Sequence, residues 1–145
     1  MFGATVGRDV AFGPLHLDLD ADEIQARVQQ ALIDVKLDTF AERDTARLSL
    51  GERKRACLAA VLACRPRCLA LDEPFANLDP RGRRQLCDIL GDFPGTLILA
   101  THDLDLVREL TDRVIVLDGG HLSADAPEEP IHEDEELLER HGLVA

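Results

Sequence analysis

Two adjacent carboxylates, Asp72 and Glu73, directly follow the apolar run Cys68–Leu71, and Pro74 then turns the chain. A third carboxylate, Asp79, comes shortly after in Asn77–Pro80. A second apolar run, Thr96–Ala100, leads into Thr101 and His102. In open parallel sheets, ligands collect at the carboxyl ends of the strands. Two acids and a histidine at neighbouring strand ends therefore form a candidate polar site. One carboxylate can hold Mg²⁺, directly or through water, while its neighbour orients or deprotonates an attacking water. A histidine from the next strand end can stabilise a phosphoryl group in transfer. Taken alone, the acid pair could equally cap a turn before Pro74.

Periodicity indicates the elements that must position these groups. Ala21–Val35 reads as a helix, because Ile24, Val28, Ala31, Leu32 and Val35 keep one apolar face, and Asp20 is its expected cap. Ser49–Ala63 reads as a second helix. Its start, Ser49 to Glu52, has the capping-box form. Its many apolar residues predict burial nearly all round, and Pro66 ends it. Cys68–Leu71 reads as a strand covered on both faces. Pro80–Leu90 is predicted helical, with proline at the first position. Thr96–Ala100 is a second buried strand, Leu104–Leu110 a helix and Arg113–Leu117 a third strand. Asp118-Gly119-Gly120 predicts a hairpin turn into His121–Ala124.

Alternating strands and helices imply an α/β fold with a largely parallel sheet. The final hairpin adds an antiparallel pair at one edge. Residues 1–124 are expected to form the main domain, with about 1–65 mostly helical and 66–124 carrying the strands. Residues 125–145 read as an acidic, Pro-containing linker, Asp125–Asp134, and a short terminal helix, Glu135–His141.

Composition narrows the function classes. A chain of 145 residues that is 46% hydrophobic suits one folded domain. No apolar stretch approaches the roughly 18 residues that span a bilayer, and residues 1–12 lack the layout of a secretory signal. A cytoplasmic protein is the expectation. The net charge of −12 and the absence of Trp and Tyr argue against a nucleic-acid partner. Cys57, Cys64, Cys68 and Cys87 lack CxxC spacing and read as small core hydrophobes. His132 and His141 in the acidic tail read as solvated, and His16 and His121 as surface positions.

In order, the chain carries LSLGE at Leu48–Glu52, CLALDEP at Cys68–Pro74, NLDP at Asn77–Pro80 and TH at Thr101–His102. This resembles the nucleotide-binding subunit of ABC transporters: its signature motif, Walker B motif, D-loop and switch histidine. Thr5–Leu19, Gly51–Ala59 and Glu136–Leu143 are similar to the cobalt/nickel and energy-coupling-factor uptake ATPases, so the resemblance covers nearly the whole chain. It implies ATP and Mg²⁺ as ligands, with Asp72 at the Mg²⁺, Glu73 activating water and His102 as the switch. It implies that Ser49, Gly51 and Glu52 meet ATP held by a second ATPase subunit, in a homo- or heterodimer. Asn77, Leu78 and Asp79 would form the D-loop that crosses to that subunit. Integral membrane subunits would be the further partners, placing the protein peripherally on the cytoplasmic face of the membrane. The substrate would be a transition-metal ion such as cobalt or nickel, or a vitamin.

The signature assignment has a physical basis. Free N–H groups and the positive end of the helix dipole favour an anion beside Ser49 and Gly51. Two residues depart from the common pattern: Leu50 stands where LSGGQ has glycine, and Asn77 where serine is frequent. The sequence shows no GxxxxGK[ST] phosphate loop, and Met1-Phe2 occupies the place just after the Q-loop. The fold expected is thus an incomplete P-loop NTPase domain without the Walker A strand and loop. The chain alone is expected to be inactive and prone to self-association through an unpaired sheet edge. The resemblance leads to the expectation of a reading frame that begins at an internal methionine, or of a shortened gene. A non-catalytic module that completes a partner's ATP site is the alternative to an ATPase subunit. A DNA-repair ATPase of the same superfamily is disfavoured by the acidity and the lack of heptads.

Overall fold

The computed structural model describes residues 3–140; Met1-Phe2 and the tail from His141, including Leu143, lie outside it. The chain divides into two compact units, residues 1–69 with 75–96 and residues 70–74 with 97–145.

The first unit is helical. α1 (Val6–Ala11) is capped by Thr5, whose hydroxyl accepts from the Arg8 N–H. α2 (Ala21–Asp34) is capped by the Asp20 carboxylate, 2.8 Å from the Glu23 nitrogen. It ends with Lys36 at φ 58°, with Lys36 N–H on Ile33 O and Leu37 N–H on Leu32 O. That left-handed closure satisfies the last carbonyls of the helix. α3 (Leu50–Leu62) and α4 (Pro80–Gly91) complete the unit. α1, α2 and α3 pack together around the buried side chains of Val6, Val10, Leu32, Val35, Leu37, Ala56 and Ala59.

α3 is less buried than its composition predicts. Only Arg55, Ala56, Leu58 and Ala59 are buried, whereas Leu50 and Val61 are 48% and 44% exposed. Alanine-rich sequence makes a helix look apolar all round, yet only one face meets a neighbour.

β1 (Cys68–Asp72) pairs with β2 (Thr96–Ala100). Thr96 N–H donates to Arg67 O and Glu73 N–H to Ala100 O. Residue numbers rise together along both strands, so the pair is parallel. Neither strand is covered on both faces as expected; Leu69 alone is buried in β1, and Ile98 in β2 is 54% exposed. The four cysteines differ likewise: Cys87 is buried, Cys64 half-buried, and Cys57 and Cys68 exposed.

In the second unit α5 (Leu104–Leu110) precedes β3 (Arg113–Asp118), which pairs antiparallel with β4 (His121–Pro127). Gly119 and Gly120 have φ of 54° and 79°, the double positive φ of a type I′ turn. β4 is longer than expected, and α6 (Glu128–Glu133) occupies most of the segment read as a linker. Pro130 falls in the first turn of α6, where no intrahelical N–H bond is lost, and Glu128 and Glu129 face the positive end of the helix dipole. α7 (Glu135–Arg140) follows. Val116, Ile131 and Leu138 form the buried cluster of this unit, with Leu104, Val114, Ala124 and Ala126 packed against it.

Candidate functional site

The first group of site residues lies in the first unit. Ser49 caps α3: its hydroxyl accepts from Glu52 N–H at 3.3 Å, and Ser49 N–H donates to Glu52 Oε2 at 2.8 Å. The capping box is thus closed in both directions. These bonds to the ionised form hold the Glu52 carboxyl below its usual range, with smaller help from Arg43 and Arg55. Ser49 itself stays exposed, so the helix start remains open to an anion.

Asp79 caps α4 in the same way, accepting from Gly82 N–H at 2.7 Å. A Cβ on Gly82 would lie 2.9 Å from Asp79 Oδ1, so this tight cap needs glycine there. Asn77 adopts φ 59°. Asparagine tolerates this left-handed conformation, because its short amide can bond locally; the departure from serine therefore suits the turn.

Ser49, Gly51, Glu52, Asn77, Leu78 and Asp79 all line one cavity of about 510 Å³. Leu50, Arg55, Arg81, Gly82 and Gln85 complete its wall. The structure therefore unites all six residues assigned to the signature and D-loop. Sequence reading missed the two ties that hold them. Lys54 Nζ donates to Ala76 O at 2.8 Å, and Arg55 Nη1 donates to Gln85 Oε1 at 2.6 Å. Arg55 is a buried cation, its pKa lowered by that burial, and its Nε has no hydrogen-bond partner among the described residues. A buried charge that loses a bond is costly. Gln85→Ala is expected to destabilise the chain by about 1.5–3 kcal/mol, measured as a lower midpoint in urea unfolding. No neighbouring motif marks either tie; Lys54 and Arg55 are only two of the basic residues after Glu52.

The second group lies in the second unit. β1 ends on Asp72 and β2 on Ala100, so Asp72, Glu73, Thr101 and His102 meet at adjacent carboxyl ends. Glu73 has φ 43°, uncommon for a residue with a side chain and typical of strained functional positions. Its backbone is held by the N–H bond to Ala100 O at 2.8 Å. Its carboxylate is held at both oxygens. His102 N–H donates to Oε1 at 3.1 Å, His102 Nδ1 lies 2.7 Å from the same oxygen, and Thr101 Oγ1 donates to Oε2 at 3.3 Å. The bonds from His102 come first in holding the Glu73 carboxyl below its usual range. The His102 side chain is 83% exposed, so this pair is open to solvent and to a ligand. Asp72 is exposed.

A parallel strand pair whose first strand leads into two acids fits the nucleotide-handling class of α/β proteins, and so does a capped helix start that lines a polar cavity. The sequence comparisons give the family. Residues 3–76 match the ABC transporter family, and the chain belongs to it. It is 44% identical, along its whole length, to the energy-coupling factor transporter ATP-binding protein EcfA of Carboxydothermus hydrogenoformans, and spans 54% of that protein. It is 45% identical to EcfA2 of Symbiobacterium thermophilum over 84% of the chain and 44% of EcfA2. The structure of cbiO1 from Clostridium perfringens, part of the ABC transporter complex cbiONQ, superposes with a TM-score of 0.83 at 34% identity. That match covers 99% of this chain and 59% of cbiO1. The chain thus spans about half the length of these relatives, from 44% to 59%.

Proposed function

We propose that the chain is the C-terminal part of the ATP-binding subunit of an ABC importer, coupling ATP hydrolysis to uptake. The observation that carries this reading is the single cavity lined by Ser49, Gly51, Glu52, Asn77, Leu78 and Asp79. An anion-accepting helix start and a turn assigned to subunit contact lie in one place, as a shared nucleotide site requires. The phosphates of ATP held by a second ATPase subunit would meet the N–H groups of the first turn of α3. Asn77, Leu78 and Asp79 would face that subunit.

The residues at the strand ends suit Mg²⁺ bound together with a nucleotide. Mg²⁺ takes one or two carboxylates and completes its shell with phosphates and water. Exposed Asp72 offers such a carboxylate. Among the described residues no three His, Cys, Asp or Glu side chains converge into an all-protein cage. When bound, the ion would neutralise charge on the phosphates. Glu73, ionised and fixed by Thr101 and His102, would orient and accept a proton from the attacking water. His102 would position Glu73 and reach the phosphate from the solvent side.

Membrane subunits would carry the substrate, a transition-metal ion such as cobalt or nickel or a vitamin. No helix among the described residues is long and apolar enough to cross a membrane, and the ATPase subunit would attach to their cytoplasmic face.

The test is complementation. An ABC ATPase subunit that carries a GxxxxGK[ST] loop, but has arginine in place of its own signature serine, is mixed with this chain. ATP turnover is expected from the mixture and from neither protein alone. A mixture no more active than its separate components contradicts the proposal.

A further inference from the structure

We infer that Arg43 is a positioning residue that neutralises Glu52 and so lets the start of α3 accept a polyanion. The inference rests on the function proposed above and names a residue outside the motifs that suggested it.

Glu52 creates an electrostatic problem at that site. Its carboxylate lies one residue from Gly51 in the wall of the cavity and holds Ser49 N–H through Oε2. A fixed negative charge there opposes a phosphate approaching Ser49 and Gly51. A glutamine, as in LSGGQ, would keep the same bond to the Ser49 N–H without the charge. Arg43 supplies the countercharge: its Nη1 lies 3.3 Å from Glu52 Oε1, the oxygen that the capping box leaves over. Arg55 also acts electrostatically on Glu52, but its Nη1 bond goes to Gln85.

Arg43 is prepared for this task. Its guanidinium carbon stands 3.8 Å from the centroid of the Phe40 ring, a cation–π contact that limits its swing. Its backbone is fixed at both ends, with Arg43 N–H on Phe40 O at 2.9 Å and Val6 N–H on Arg43 O at 3.0 Å. The Arg43 and Glu52 side chains are 48% and 23% exposed, so the ion pair itself adds little to stability. Its effect falls on the charge met by the ligand.

The test uses the complementation mixture described above. Arg43→Gln is expected to raise the KM for ATP by roughly fivefold with kcat unchanged. Adding Glu52→Gln to Arg43→Gln removes the uncompensated charge while the glutamine oxygen keeps the bond to Ser49 N–H, and is expected to restore KM. Arg43→Lys, which keeps the charge, stays close to the parent. An unchanged KM in Arg43→Gln overturns the inference, as does a double variant no better than Arg43→Gln. A second measurement needs no partner. In carboxyl-carbon NMR of the chain alone, Arg43→Gln is expected to move the Glu52 titration to higher pH. A midpoint that does not move overturns the inference whatever the turnover assay gives. Loss of turnover with the parent chain, beside a shifted midpoint, instead counts against the proposed function.

Discussion

Glu73→Gln is expected to lower ATP turnover by about 10²–10⁴-fold, the usual contribution of a positioned general base. The measurement requires a phosphate loop in the same subunit. A chimera with the N-terminal part of Carboxydothermus EcfA joined ahead of this chain provides one. Glutamine can keep the bond from His102 N–H through its carbonyl oxygen and turn its amide N–H toward the Thr101 hydroxyl, which then accepts, so the local fold is retained while the base is lost. ATP affinity in the chimera should therefore change little. Turnover unaffected by Glu73→Gln would move the account toward a non-catalytic module that serves only a partner's site. The strained φ of Glu73 and the bonds at both of its oxygens support the catalytic reading.

Ser49→Arg should have a comparable effect by another route. A lost anion-binding donor set typically costs about 10²–10³-fold in turnover. Here arginine also places bulk at the helix start and removes the hydroxyl that accepts from Glu52 N–H. In the complementation mixture, turnover should fall to the level of the partner alone. Glu73→Gln should leave that mixture unchanged, because the hydrolysing residues there belong to the partner. The two substitutions thus separate the role of the α3 start from that of the strand-end residues. Thermal unfolding of the Ser49→Arg chain serves as the control. Loss of the cap alone is expected to lower stability by about 1 kcal/mol.

Much of this site was legible in the sequence because its signals are local. Ser49 and Glu52 stand at capping-box spacing, Asp20 precedes an amphipathic run, and Asp118-Gly119-Gly120 can only turn tightly. Each of these rests on hydrogen bonds within a few residues, so the order of residue types is enough. The ties that assemble the site are not local. Lys54 reaches Ala76 and Arg55 reaches Gln85 across many residues, and no spacing rule announces them. Arg43 escaped notice for the same reason. Burial depends on neighbours that composition does not specify. Cys68–Leu71 is apolar, yet an apolar run does not say which element covers it. The six residues of α1 carry too little periodicity to predict a helix. The acids and prolines of residues 125–134 predict a linker, whereas Pro130 and the glutamates suit the first turn of a helix.

The central claim is that Ser49 and Gly51 engage ATP bound to another subunit. Sedimentation velocity tests it most directly. The chain is mixed with a GxxxxGK[ST]-bearing ABC ATPase subunit blocked in hydrolysis, with and without ATP and Mg²⁺. The account predicts a one-to-one complex that forms only with ATP and is lost in Ser49→Arg. No complex, a complex indifferent to ATP, or one that survives Ser49→Arg would contradict it.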